Sequence, residues 1–191
     1  LQIPDYQRIY CWLEKNVMQL LEDIQSIKEE YRLGTIILQK KEDNNSFVYD
    51  IIDGQQRLVT LSLILLQLGD ERSPLLEQSF QSDEAYEYVS YNKFLIKNYI
   101  EKFSKNFDVN TILTKLTFNV LVLNDSSLDL AYTFFSNENS RGCPLSDFDL
   151  LKAHHLRYVL IDEQAQHLSS VWDKMLLEEQ GKTEKNERCY E

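Results

Sequence analysis

Five consecutive residues, Asp53-Gly54-Gln55-Gln56-Arg57, bring a carboxylate, a backbone hinge, two amides and a guanidinium together. An apolar run from Phe47 to Ile52 precedes them. Leu58, Leu61, Leu65 and Leu68 follow at helical spacing, with Val59 and Leu63 widening the stripe. This pattern predicts strand, tight turn and helix. A glycine at such a junction lets backbone approach a ligand, and the free N–H groups of a first helical turn carry partial positive charge suited to phosphate. A cation in that turn opposes the macrodipole. Arg57 is therefore either the partner of a bound anion or a solvated or ion-paired surface residue.

The elements around this turn follow from periodicity. Leu1 to Trp12 reads as extended, with Tyr6, Tyr10 and Trp12 on one side for packing and Gln7 on the other. Gln7 and Arg8 are ordinary surface polars unless the segment lies beside the Gly54 turn. Leu13 to about Glu30 is an amphipathic helix carrying Leu13, Val17, Leu20, Leu21, Ile24 and Ile27 on one face. Gly34 ends that region. Thr35 to Leu38 reads as a short buried strand, followed by a polar loop from Gln39 to Ser46 and a hairpin partner from Phe47 to Ile52. From Asp70 helical spacing dominates: Ser82-Asp83 caps a helix to about Lys105 with Tyr88, Tyr91, Leu95, Tyr99 and Phe103 inward. Asp108 caps a short helix, Thr117 to Leu123 is a strand, and helix resumes near Leu128 with Tyr132 and Phe135. Arg141-Gly142 makes a turn, and Ser146 to Asp149 is a capping box opening a helix to about Leu160. On that helix Lys152 either pairs with Asp149 or serves a ligand. Ser169-Ser170 caps a last helix presenting Val171, Trp172, Met175 and Leu176, closed by Gly181.

Three stretches in order resemble a known family. Asp53 to Arg57 matches the signature of the DGQQR domains of GmrSD-type modification-dependent restriction systems and related phage-defence proteins. Ile3-Pro4-Asp5-Tyr6-Gln7-Arg8-Ile9-Tyr10-Cys11-Trp12 is similar to its opening motif. Asn139-Ser140-Arg141-Gly142-Cys143-Pro144-Leu145 through Asp149-Leu150-Leu151-Lys152 is similar to its third, with departures at Ser136 and Glu138. The resemblance implies a ParB/sulfiredoxin-like fold whose Gly-x-x-Arg turn holds nucleotide phosphates, and an association with nucleoside triphosphate hydrolysis. It also implies a C-terminal HNH-type nuclease or other effector beyond this region, through which DNA would be engaged. Carried over by motif, it points to Gln7, Arg8, Gly54, Asn139, Arg141 and Lys152 for nucleotide binding.

Composition bounds the alternatives. With 191 residues, 43% of them hydrophobic, the chain can bury a sizeable core. A net charge of −11 argues against a stand-alone nucleic-acid binder, which normally carries a basic footprint. No run reaches the apolar length of a membrane span, and the start is not a signal peptide. Cys11, Cys143 and Cys189 have no metal-ligand spacing and suit reduced thiols in a cytoplasm. His154 and His155, adjacent on a helix, point about 100° apart and cannot share a metal from one face. The chain opens inside a motif and closes on a polar stretch, so a segment of a longer protein is expected.

The expected fold is α+β: a small ParB/sulfiredoxin-like sheet with packed helices over residues 1–70, a mainly helical region over 71–181 and a polar tail or link over 182–191. The expected function is nucleotide binding with triphosphate hydrolysis in a restriction or phage-defence system, with the base unspecified. Asp53 would hold Mg²⁺ or orient water, Gln55 or Gln56 would bind phosphate or position water, and Arg57 would neutralise phosphate charge. The competing expectation is a sensing module that binds nucleotide or a protein partner without turnover and controls an effector. No nuclease constellation is present, so DNA cleavage by this chain alone is not expected.

Overall fold

The computed structural model describes residues 1–43, 46–76, 78, 83–124, 147–156, 158–159 and 164–175. Two strands form a hairpin, β1 (Tyr31–Asp43) and β2 (Ser46–Asp53), and a third, β3 (Leu116–Leu123), adds on the far side of β1. β1 and β2 run antiparallel, whereas β1 and β3 run parallel. The sheet therefore draws two strands from before a long helical excursion and one from after it. The helices are α1 (Glu14–Gln25), α2 (Gln55–Gln67), α3 (Asp83–Lys102), α4 (Val109–Lys115) and α5 (Asp147–Leu156), with α6 over residues 164–175.

β1 is much longer than the apolar run Thr35 to Leu38. The stretch expected as a loop stays in the sheet because β2 pairs with it from Gln39↔Asp50 to Asp43↔Ser46. Side chains support the pairing: Lys41 meets the buried Asp50 at 2.5 Å, and the Lys40 ammonium lies 3.5 Å from the Phe47 ring centroid. Cross-strand pairs of this kind stabilise polar strand residues that propensity alone disfavours. Gly34 does not end a region. It sits inside β1 at φ +126°, where the register with β3 shifts between Arg32 and Thr35.

Apolar side chains pack on both faces of this sheet. One cluster joins Tyr10, Val17, Leu20, Leu21, Ile24, Ile51, Val59, Leu63, Ile64, Ile96, Ile100 and Ile112, so α1, α2, α3 and α4 share one core. The second is small: Ile37, Ile52, Leu123 and Ala153, with Tyr6 against them. Tyr6 and Tyr10 thus belong to different clusters. The N-terminal segment is not extended throughout, because a turn over residues 5–7, closed by Gln7 N–H on the Pro4 carbonyl at 3.0 Å, breaks the period. On α3 the buried positions are Ala85, Asn92, Ile96 and Ile100, while Tyr91 is half exposed and donates to Glu14.

Tyr88, Leu95, Tyr99 and Phe103 pack partly buried against the core as expected, so of that set Tyr91 alone turns outward. Asn92 lies at the buried centre of the same face. Its Nδ2 donates to Tyr10 Oη at 3.0 Å and to the Trp12 carbonyl at 2.8 Å. Thr60 Oγ1 donates to the Gln56 carbonyl, so the Tyr10 hydroxyl must donate to Thr60, at 2.8 Å. The chain Asn92, Tyr10, Thr60, Gln56 uses each hydroxyl once as donor and once as acceptor, satisfying the hydroxyls it buries. It pins the opening segment between α2 and α3. Burial pushes the Tyr10 phenol up to about 12, with the bonds to Thr60 and Asn92 pulling the other way. Asp108 caps α4 by accepting from Thr111 N–H at 2.8 Å.

Candidate functional site

The turn after β2 is held by three glutamines that act on backbone. Gln7 Nε2 donates to the carbonyls of Ile51 and Ile52 at 3.0 and 2.7 Å. Gln55 Nε2 donates to the Arg8 carbonyl at 3.0 Å, and Gln56 Nε2 to the Ile9 carbonyl at 3.0 Å. Gln56 Oε1 accepts from Cys11 N–H at 3.0 Å, which fixes which end of that amide is oxygen. All three side chains are buried. They tie the opening segment to β2 and the start of α2, bringing two distant motifs into one seam. Gln55 Oε1 is buried without a hydrogen-bond partner among the described residues. Rotating the amide would not relieve it, since its oxygen would then face the Arg8 carbonyl.

Gly54 begins α2 at φ +97°, a left-handed conformation that favours glycine. A Cβ there would lie 3.2 Å from Ile36 Cγ1, so the turn is also tight against β1. Arg57, in the first turn of α2, reaches back to the sheet. Its guanidinium donates to the carbonyls of Leu33 and Thr35 at 3.3 and 2.8 Å and to Asp53 Oδ2 at 3.2 Å. Gly34 makes room for it: a Cβ at that position would stand 2.3 Å from Arg57 Nη1. The cation that opposes the helix dipole is thus offset by two strand carbonyls, left open by the bulge, and by a carboxylate. The Asp53 and Arg57 side chains remain a fifth to a quarter exposed.

A cavity of about 60 Å³ opens beside this seam, lined by Arg8, Gln55, Lys152 and Asp173 among others. The Arg8 guanidinium has no hydrogen-bond or ion-pair partner among the described residues. Lys152 is buried. Its ammonium donates to the Gln7 carbonyl at 3.1 Å and to both Asp173 oxygens at 2.8 and 2.9 Å. Lys152 therefore points inward to the first motif and does not form the surface pair with Asp149 that its spacing allows.

Residues 1–156 match the N-terminal domain family of the GmrSD restriction endonucleases. The chain belongs to that family. No curated protein matches it. As a GmrSD N-terminal domain it is a module of a restriction system, a phage-defence function. The three motifs of this GmrSD domain behave differently in the fold. The first and second meet through the glutamine seam, and the third joins them through Lys152. Asn139 and Arg141, with Ser146 of the capping box, the helix near Leu128, Cys143, Cys189 and the tail from residue 182, lie outside the described residues.

Sequence reasoning missed Asp173 and the role of Ser169, both beyond the segment that matches the GmrSD family. The last helix starts earlier than Ser169, and Ser169 does not cap it: its hydroxyl donates to the Asp5 carbonyl at 2.9 Å. The buried stripe of α6 is Ala165, Ser169 and Asp173, while Met175 is exposed. Small and polar residues line that stripe because the helix docks on the backbone of residues 5–7, not on an apolar core. The i, i+4 spacing of Ser169 and Asp173 was the available signal.

The metal question turns on Asp53. Among the described residues no three His, Cys, Asp or Glu side chains gather as a metal cluster. Mg²⁺ usually takes one or two protein carboxylates and completes its shell with phosphate and water; Asp53 is partly exposed, but it is paired with Arg57 at 3.2 Å and does not line the cavity. His154 and His155 stand edge to face with centroids 5.3 Å apart, and His155 stacks on Trp172 of α6 at 5.9 Å. Among the described residues, no helix is long and apolar enough to cross a membrane.

Proposed function

We propose that this domain binds a nucleoside triphosphate with Mg²⁺ at the seam and cavity, and hydrolyses it to control an effector of the restriction system. One observation carries the reading: Arg8, whose guanidinium has no partner among the described residues, and the buried Lys152 line the same cavity as Gln55, the first residue of α2. Arg8 and Lys152 face this cavity together with Asp5 and Asp173, so a phosphate would be drawn to Arg8 and would compete with Asp173 for Lys152. Arg8 would take phosphate oxygens in a charge-assisted fork, and Lys152 would add a point charge. Asp53 would hold Mg²⁺, which spreads phosphate charge in the transition state. Gln55 Oε1, lacking a donor, would orient an attacking water. Catalysis would come from positioning and charge stabilisation, as in other phosphoryl transfers. Arg57 supports this arrangement by holding the turn.

A second reading, binding without turnover, is favoured by Asp53, which is paired with Arg57 and does not line the cavity. Thermal melts with ATP, GTP, CTP and UTP plus Mg²⁺, followed by a phosphate-release assay, separate the two. A raised melting temperature with phosphate release supports hydrolysis, and a raised melt without release supports sensing. No shift with any nucleotide removes both.

A further inference from the structure

The cavity is too small for the ligand just proposed. Pockets that bury small ligands run to roughly 300 Å³ or more, against about 60 Å³ here, so something must move before a triphosphate enters. The wall easiest to move is α6. Its buried stripe is Ala165, Ser169 and Asp173, a poor apolar contact. Toward the first motif it is held by Ser169 Oγ on the Asp5 carbonyl, and toward the third by the ion pair of Asp173 with Lys152. Trp172, packed edge to face on Phe148 at 5.5 Å, joins it to α5. A buried ion pair returns little net stability over an apolar one, because desolvating two charges offsets their attraction. An anion arriving at Lys152 could replace the Asp173 carboxylate without leaving the ammonium unpaired.

We infer that Asp173 is a positioning residue that caps Lys152 in place of a phosphate, so that nucleotide binding exchanges one anion for another and releases α6 from the cavity. Asp173 lies beyond the segment that matches the family, so this control would belong to the following helix. The inference rests on the nucleotide reading above. Displacement of α6 would be the signal passed to an effector.

Calorimetric titration with each Mg²⁺-nucleotide, paired with hydrogen exchange over residues 164–175, tests it on the full chain. Asp173→Asn should bind about tenfold more tightly than wild type, the gain expected when a closed state populated about nine times in ten is released. In wild type, nucleotide should speed exchange in α6. Ser169→Ala keeps the ion pair and should tighten binding by a smaller factor, which covers the case where Asp173→Asn does not fold. Loss of affinity is what a merely structural Asp173 would show. Nucleotide binding to wild type with no tightening in either variant and unchanged α6 exchange would overturn the latch and leave the nucleotide site standing. No binding by wild type or either variant would overturn both, and binding by a variant alone would support the latch.

Discussion

The turn that carries Arg57 and the cavity that Arg8 lines draw their positive charge from two motifs of one family, yet hold it in opposite states. Arg57 is engaged by two β1 carbonyls and Asp53, in a space that Gly34 leaves open. Arg8 has its backbone carbonyl bonded to Gln55 and its guanidinium free among the described residues. Motif membership alone therefore does not say which arginine meets a ligand. What separates them is acceptors within reach, which the bulge of β1 and Asp53 at the end of β2 supply to Arg57.

The largest effect expected from this contrast is at Gly34. Gly34→Ala places a Cβ against the Arg57 guanidinium in a backbone conformation that L side chains rarely adopt. Stability should fall by on the order of 2 to 3 kcal/mol, read from the urea midpoint. A midpoint equal to wild type would mean that the Arg57 clamp is not held in solution.

Arg57→Ala should come next. From the sequence alone, an arginine opposing the helix dipole is one whose removal the fold tolerates. The geometry reverses this, because the variant leaves the Leu33 and Thr35 carbonyls and Asp53 without their donor. A loss of about 2 kcal/mol is expected, reduced from the sum of three such bonds because the group is partly exposed. Equal melting curves for Arg57→Ala and wild type would restore Arg57 to the role of a ligand cation.

A smaller effect compares the two faces of the sheet. Tyr10 in the larger cluster has its phenol pushed up to about 12, and burial also raises Tyr6 in the smaller one, aided by the charge of Asp50. An unfolded tyrosine ionises near 10. Both groups are raised on folding, so their contribution is whole below pH 10 and is lost as the pH rises toward 12. Urea midpoints taken across that window should fall, and Tyr10→Phe should fall less steeply than wild type. A Tyr10→Phe slope equal to wild type would place the alkaline loss elsewhere.

Much of the fold was legible because its signals are local. The β hairpin, the turn at Gly54, the Asp108 cap and β3 follow from alternation, a glycine and a capping side chain. The misread parts depend on partners far along the chain. Gln39 to Asp43 looks like loop until β2 supplies its hydrogen bonds, and Tyr91 looks inward with the other aromatics of α3 until its hydroxyl is seen to reach out to Glu14. The same holds at the site. Gln7, Gln55 and Gln56 stand out by type and spacing, but their carbonyl partners lie more than forty positions away. Lys152 was visible as a motif residue, whereas the only sign of Asp173 was its i, i+4 spacing from Ser169, which does not say what it is buried against.

The central claim is that the cavity beside the seam, and not the Arg57 turn, supplies the free cation for a nucleotide. Calorimetric titration of Arg8→Ala beside wild type, with the Mg²⁺-nucleotide that wild type binds most tightly, tests it most directly. Losing a charge-assisted contact should weaken binding by about 1.5 to 3 kcal/mol, roughly ten- to a hundred-fold, with the ligand-free melting temperature unchanged because no fold contact of that guanidinium is lost. Wild-type affinity in Arg8→Ala would contradict the account.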